Sequence, residues 1–351
     1  MAYTEPRHTV LALIVKDEAQ TIAKTLDSAR RSLGPGPTVI HDTGSTDHTI
    51  EAVELWAKRH AVGVTTIASR PFDDFSHARN ACLAHAFEHG DRVCMVDASV
   101  IVSGTLLPGD GPAFATLLMG NMTWTRPQIF VPGWEYHGAV HEYATGPGLP
   151  KDSGLTFAYS LPDGGSRARR WLRDLALLEG DFSPRGRFYY AQTLDCLGRK
   201  SQAEPAYVER YNISESGFWE ERVIAMLRCI PMTRDYAMAE RYAGRALALD
   251  ATRGEVWLAL AERAPTPRER YRLASKAIET VPRAGALFIE GDREWKAHLC
   301  AGDASADLGH FGTARRHWRD AVRLAGDRMD PHERAELQAG IRMTERKPVS
   351  A

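Results

Sequence analysis

The sequence predicts an α/β domain built on an open, mostly parallel sheet flanked by helices, followed by an all-α domain of paired helices. Three observations predict it. Strand-like and helix-like segments alternate from Thr9 to Ser99. A Gly- and Pro-rich stretch, Gly146–Gly165, then interrupts the chain and reads as a linker. Beyond it the composition turns to Ala, Leu, Arg and Glu, with small residues at helical spacing. A chain of 351 residues is long enough for two cores, and the expected division is 1–160 and 161–345.

Thr9–Val15 is a continuous β-branched and aliphatic run, the pattern of a strand buried on both faces. Polar Lys16-Asp17-Glu18 follows, then a helical pattern through Ala29. A second strand, Thr38–His41, runs into Asp42-Thr43-Gly44-Ser45-Thr46-Asp47, after which Thr49–Arg59 is again helical. A third strand is expected at Val64–Ile67, a loop at Arg70–Phe75 and a helix at Ser76–Glu88. The fourth strand, Arg92–Val96, ends in Asp97-Ala98-Ser99. Open parallel sheets bind ligands beyond the carboxyl ends of their strands, and each of these polar clusters falls at one.

In the second half Gly198, Ala203 and Tyr207 recur in spacing as Gly309, Ala314 and Trp318. Ala239, Ala243 and Ala246 precede Leu249-Asp250, and Trp257, Leu260 and Ala261 are followed by Ala277 and Pro282. Small residues at these intervals let paired helices approach, and an aromatic four positions after one packs on the same face. The spacing points to degenerate tetratricopeptide repeats.

Composition narrows the function classes. Five cysteines without a CxxC pair suggest neither a disulfide framework nor a zinc site. The first residues lack a basic leader with a cleavage site, and no run of about 20 apolar residues occurs, so a cytoplasmic protein without a membrane span is expected. Residues 1–160 hold 12 Lys+Arg against 17 Asp+Glu, and the remainder 32 against 28. That balance lacks the basic excess of a general nucleic-acid binder, and a carboxylate-rich first half suits a site that holds a metal or works by acid and base.

Several segments have the residue types chemistry needs. In the loop Asp42–Asp47 the glycine suits a tight turn while carboxylates and hydroxyls face a ligand; Ser45 and Asp47 are equally ordinary helix caps. Asp97, anchored by the apolar strand before it, is placed to meet a ribose or a metal-bound diphosphate. Ser76 and Arg79 sit at a helix N-terminus, where amides and a guanidinium favour phosphate oxygens; a surface pair between Asp74 and Arg79 is the alternative. Trp134–Glu142 gathers aromatic, imidazole and carboxylate groups around Gly138, with His141 as a candidate metal ligand and Glu142 as a candidate base.

The ordered succession LIVKDEAQTIAKTLDSA, HDTGSTDHT, FDDFSHARNACLAHA, VCMVDAS and YHGAVHE resembles the GT-A domain of family 2 glycosyltransferases over roughly residues 8–145. The segments RDLALLEGDFSPRGRFYYAQTLDCLGRKSQAEPAYVERY and GFWEE resemble the helical extension of a subgroup with tetratricopeptide repeats, which includes peptide-modifying enzymes. The resemblance implies that Val15, Asp17, Glu18 and Asp42 line the pocket for base and ribose, with Arg79 near the base or diphosphate. Asp97 corresponds to the first acid of the Asp-x-Asp motif, near ribose and metal, and His141 to a histidine that completes the metal shell. Glu142 is the general base it favours, with Asp163 and Asp174 as alternatives.

The chain departs from the family twice. Asp17 stands in place of Asn, and Ser99 replaces the second Asp of Asp-x-Asp, normally a direct ligand. A hydroxyl is a poor substitute for a charged oxygen on Mn²⁺ or Mg²⁺, so the implied set Asp97, Ser99 and His141 holds metal weakly. The resemblance further implies an inverting transfer from a nucleotide-sugar, UDP-linked by default. A repeat array suits an extended peptide or protein acceptor; carbohydrate, lipid-linked, small-molecule and modified-nucleobase acceptors are the alternatives. A retired catalytic domain serving as a binding scaffold is the non-enzymatic alternative. A nucleotidyltransferase would carry a glycine-rich basic loop after the first strand, which Lys16-Asp17-Glu18 is not.

Overall fold

The computed structural model describes residues 8–60, 65–119, 122–159, 164–214, 218–283 and 291–345. The chain divides into two compact units, Met1–Asp181 and Phe182–Ala351, later than the division expected after residue 160.

The first unit begins with β1 (Val10–Val15), α1 (Ile22–Leu33), β2 (Thr38–Asp42), α2 (Thr49–His60), β3 (Thr65–Ser69), α3 (Phe75–Phe87) and β4 (Val93–Met95). These match the expected alternation; the third strand lies at Thr65–Ser69, and Val64 falls outside the described residues. It continues with β5 (Val100–Gly104), β6 (Ala113–Met119), β7 (Met122–Phe130), β8 (Glu135–His137), β9 (Tyr143–Thr145), β10 (Lys151–Tyr159) and α4 (Gly164–Leu178). The main sheet has the order β3-β2-β1-β4-β7-β6-β10-β5, and only β5 and β7 run against the rest. β8 and β9 form a separate hairpin.

Strand alternation divides the core between the two faces of the sheet. Leu11, Leu13 and Val15 of β1 pack with Ile22, Leu26 and Trp56 on the face of α1 and α2. Val10 and Ala12 point the other way, to Cys82, Leu83, Phe130, Trp134 and Tyr136. The N-terminus of α3 is therefore held beside the carboxyl ends of β1, β2 and β4.

The stretch Gly146–Gly165, read as a linker, instead contains β10, which pairs with β5 on one side and β6 on the other. Its glycine explains the misreading. Gly154 has φ 73° beside a register shift in the β6 pairing, and a Cβ on Gly104 would lie 2.2 Å from the Gly154 carbonyl oxygen. Glycine here marks a bulge and a close strand approach, not a break.

The second unit is helical: α5 (Pro184–Cys196), α6 (Lys200–Asn212), α7 (Glu220–Cys229), α8 (Tyr236–Leu249), α9 (Gly254–Ala261), α10 (Pro267–Glu279), α11 (Arg293–Asp307), α12 (Phe311–Ala325) and α13 (Pro331–Glu345). Each helix packs on the next in chain order. The recurring residues do the expected work: Ala203, Tyr207, Ala314 and Trp318 are buried, and Gly198 and Gly309 close turns at φ 74° and 79°. No described helix is long and apolar enough to cross a membrane.

Candidate functional site

The loops after β1 and β2 are knitted together by their own carboxylates. Asp17, at φ 55°, donates its amide to Ser45 Oγ at 3.0 Å and accepts from the Thr46 amide at 2.7 Å. Asp42 accepts from the amides of Gly44 and Ser45 at 3.2 and 3.1 Å. Asp47 accepts from the amides of Ala19 and Thr49 at 3.1 and 3.0 Å, and Glu18 donates its amide to Thr49 Oγ1 at 2.7 Å. The Val15 carbonyl takes both the amide and the hydroxyl of Thr43. Both readings of these residues meet here, because the carboxylates that suit a ligand also cap backbone amides and fix the loops in advance. Burial pushes the Glu18 carboxyl up; the Thr21 hydroxyl opposes this, and the charges of Asp47, Asp97 and Asp17 reinforce it.

Arg79, in the first turns of α3, is the centre of a second cluster. Its Nη2 donates to Asp97 Oδ1 at 2.5 Å and its Nε to Glu142 Oε1 at 2.6 Å. Among the described residues the alternative surface pair with Asp74 does not form. Asp74 instead caps α3, accepting from the His77 amide at 2.8 Å. The side chain of Arg79 is only 7% exposed, so two carboxylates compensate a guanidinium that burial would otherwise penalise. Burial lowers the Arg79 pKa, but Asp97 and Glu142 more than restore it, and the net shift is upward.

The β8–β9 hairpin brings Glu142 to this point. Asn80 of α3 donates to the Tyr136 carbonyl at 2.8 Å and accepts from the Tyr136 amide at 2.7 Å, while the Phe75 amide reaches Ala139 O at 3.1 Å. Positive φ at Gly138 (94°) and His141 (52°) turns the loop back so that Glu142 faces Arg79.

Two groups from the far half of the sheet complete the cluster. Tyr159, the last residue of β10, donates to Asp97 Oδ2 at 2.7 Å. Arg126 of β7 lies 3.5 Å from the same oxygen and donates to the Tyr159 hydroxyl at 3.2 Å. Burial pushes the Asp97 carboxyl up, but Arg79 and Arg126 prevail and hold it well below the usual carboxylate range. Tyr136, 3% exposed, lies under Arg79, with the guanidinium carbon 5.4 Å from the ring centre, and its buried hydroxyl has no partner among the described residues.

Sequence reasoning assigned no role to Arg126 or Tyr159. Arg126 left a signal, as the single Lys or Arg between Arg92 and Lys151. Tyr159 left none, because the Gly- and Pro-rich stretch around it reads as a linker.

The structure brings Asp97, Arg79 and Glu142 together, but it does not build the implied metal shell. Both oxygens of Asp97 are occupied by Arg79, Tyr159 and Arg126. Among the described residues, no three His, Cys, Asp or Glu side chains converge on a metal position. Two guanidiniums balance the two carboxylates, so a divalent cation at Asp97 would meet like charge. The residues present do not fit that cation. Asp174 of α4 pairs with its neighbour Arg173 at 2.8 Å, and Asp163 lies outside the described residues.

Comparison with known proteins gives fold-level likenesses only. No known protein family and no curated protein matches the chain. Among solved structures, a mannosyltransferase from Pyrobaculum calidifontis in complex with GDP-Man and Mn²⁺ aligns over 79% of this chain and 88% of its own, at 16% identity and a TM-score of 0.35. MamA from Desulfovibrio magneticus RS-1 aligns over 47% of this chain and 95% of its own, at 14% identity and a TM-score of 0.34. BtubC from P. vanneervenii aligns over 48% and 77%, at 15% identity and a TM-score of 0.37. Likenesses of this size decide neither activity nor ligand.

Proposed function

We propose that the first unit transfers a sugar from a nucleotide-sugar to an acceptor nucleophile, as its resemblance to family 2 glycosyltransferases implies. One observation carries the reading. Arg79, Asp97 and Glu142, far apart in sequence, meet at the carboxyl edge of the parallel strands, beside the loops of Val15, Asp17, Glu18 and Asp42. That edge is where open α/β sheets take nucleotides. The loops receive the base and ribose, and Arg79 faces the diphosphate.

The acceptor attacks the anomeric carbon as the bond to the diphosphate oxygen breaks, and the leaving group keeps the electron pair. Glu142 takes the acceptor proton. Its Oε1 is fixed by Arg79, which orients Oε2 toward the acceptor. Attack opposite the leaving group inverts the anomeric centre. A peptide or protein acceptor accords with a helical repeat unit on the same chain.

The test is a panel of UDP-, GDP-, ADP- and dTDP-sugars incubated with the full chain and MnCl₂, followed by mass spectrometry of donor cleavage. Cleavage of one donor is expected. Glu142→Gln should then reduce turnover by about 10²- to 10⁴-fold; near-normal turnover moves the base elsewhere. Absence of cleavage and of binding across the panel would favour the scaffold reading.

A further inference from the structure

The carboxylate offered to a metal is already spent on cations of the chain itself. We infer that the donor diphosphate is held by the guanidiniums of Arg79 and Arg126, without a divalent cation bridging it to the protein. This rests on the sugar-transfer reading and adds to it the means of holding the leaving group.

Three observations converge. Asp97 fixes both guanidiniums at one point, Arg79 at 2.5 Å and Arg126 at 3.5 Å, while Ser99 supplies a hydroxyl where a second carboxylate would bind metal. Among the described residues, Nη1 of Arg79 and both Nε and Nη1 of Arg126 make no hydrogen bond, which leaves charged donors for an anion. The Tyr136 hydroxyl, buried and unpartnered beneath Arg79, supplies a neutral donor in the same place. A buried polar group without a partner is costly in the empty protein and is satisfied by an oxygen-rich ligand.

Arginine suits this duty because its planar fork matches two phosphate oxygens and its charge persists at every working pH. Arg126 is also the more accessible of the two, with its side chain 30% exposed. Trp124, two residues earlier on the same strand and partly exposed, stacks on Tyr159 at 6.3 Å and so buttresses the hydroxyl that Arg126 holds. When the bond between the anomeric carbon and the diphosphate oxygen breaks, the electron pair stays on that oxygen. The two guanidiniums neutralise the charge, and no proton is consumed.

Titration calorimetry of the full chain with UDP, GDP, ADP and dTDP, in EDTA and separately in MnCl₂, tests the inference. The expected result is one diphosphate binding with similar Kd in both buffers. Arg126→Met should weaken that binding roughly ten- to a hundredfold while leaving the matching nucleoside unaffected, and Arg126→Lys should restore part of it. Binding that appears only with Mn²⁺, or an unchanged Kd in Arg126→Met, overturns the inference and leaves the sugar-transfer reading standing. No diphosphate binding in either buffer overturns both.

Discussion

Each unit of the chain buries arginine against glutamate, but the two networks end differently. In the helical unit Glu221, fully buried on α7, takes Arg185 of α5 at 2.7 Å on one oxygen and Arg210 of α6 at 3.2 Å on the other. Arg210 continues to the carbonyls of Ile213 and Phe218, both at 3.2 Å. This network ties three helices together. In the sheet unit Arg79 likewise ties α3 to β4 and to the hairpin loop, yet guanidinium donors and the Tyr136 hydroxyl have no partners among the described residues at the strand ends. A network strung between helices braces a fold, whereas one at a sheet's carboxyl edge with donors to spare suits the ligand proposed above.

The largest effect should come from opening the helical unit's network. Glu221→Ala strands two guanidiniums, one of them 1% exposed, and should cost about 3–5 kcal/mol of stability, read by urea denaturation of the full chain. A loss below about 1 kcal/mol would show that the helices do not depend on the pair, and the contrast between the networks would fail.

Acid separates the networks from other buried groups. His41 bonds His85 at 3.0 Å in the sheet unit, and His298 bonds His317 at 3.1 Å in the helical unit. Burial, reinforced by the neighbouring histidine, lowers His41 and His317 from 6.5 to about 4. The unfolded chain then takes up protons first, so stability is full above pH 6.5 and falls as pH drops toward 4. The loss should reach about 2 kcal/mol for His41 at pH 5, and His41→Gln should remove that part of the pH dependence. Asp97 has the opposite history: its depressed pKa keeps its contribution intact until pH falls below the unfolded value of 3.8. Denaturation curves at pH 7 and 5 check the first statement, and curves continued to about pH 3 check the second. Equal stability at the two pH values would mean that the histidine pairs are hydrated.

The sheet's first half was legible because its strands are apolar runs bounded by polar loops, and period alone identifies them. Leu11, Leu13 and Val15 announce a buried strand wherever they occur. The second half was not, because β10 mixes Lys151, Asp152 and Gly154 with its apolar residues, and its place between β5 and β6 is a tertiary fact. The site divides in the same way. Asp97, Arg79 and Glu142 were readable as polar residues at element ends, but their partners Arg126 and Tyr159 lie within strands and reach Asp97 only through sheet order. A surface pair with Asp74 stays open as the alternative for Arg79 because sequence shows that neighbour and hides the carboxylates 18 and 63 positions away.

The smallest prediction sets two tyrosines against each other. In the helical unit Tyr242, 6% exposed, donates to Glu204 Oε1 at 2.9 Å, so Tyr242→Phe should cost about 1 kcal/mol. Tyr136 is equally buried in the sheet unit, but its hydroxyl has no partner among the described residues, so Tyr136→Phe removes an uncompensated desolvation and should leave stability unchanged or raise it by up to about 1 kcal/mol. The same substitution should weaken nucleoside diphosphate binding, since it deletes a donor from the clamp. Opposite signs in the two denaturation experiments distinguish a hydroxyl that holds the fold from one that waits for a ligand. If Tyr136→Phe is as costly as Tyr242→Phe, a bound water already satisfies the group, and the orphaned hydroxyl no longer argues for an anion site.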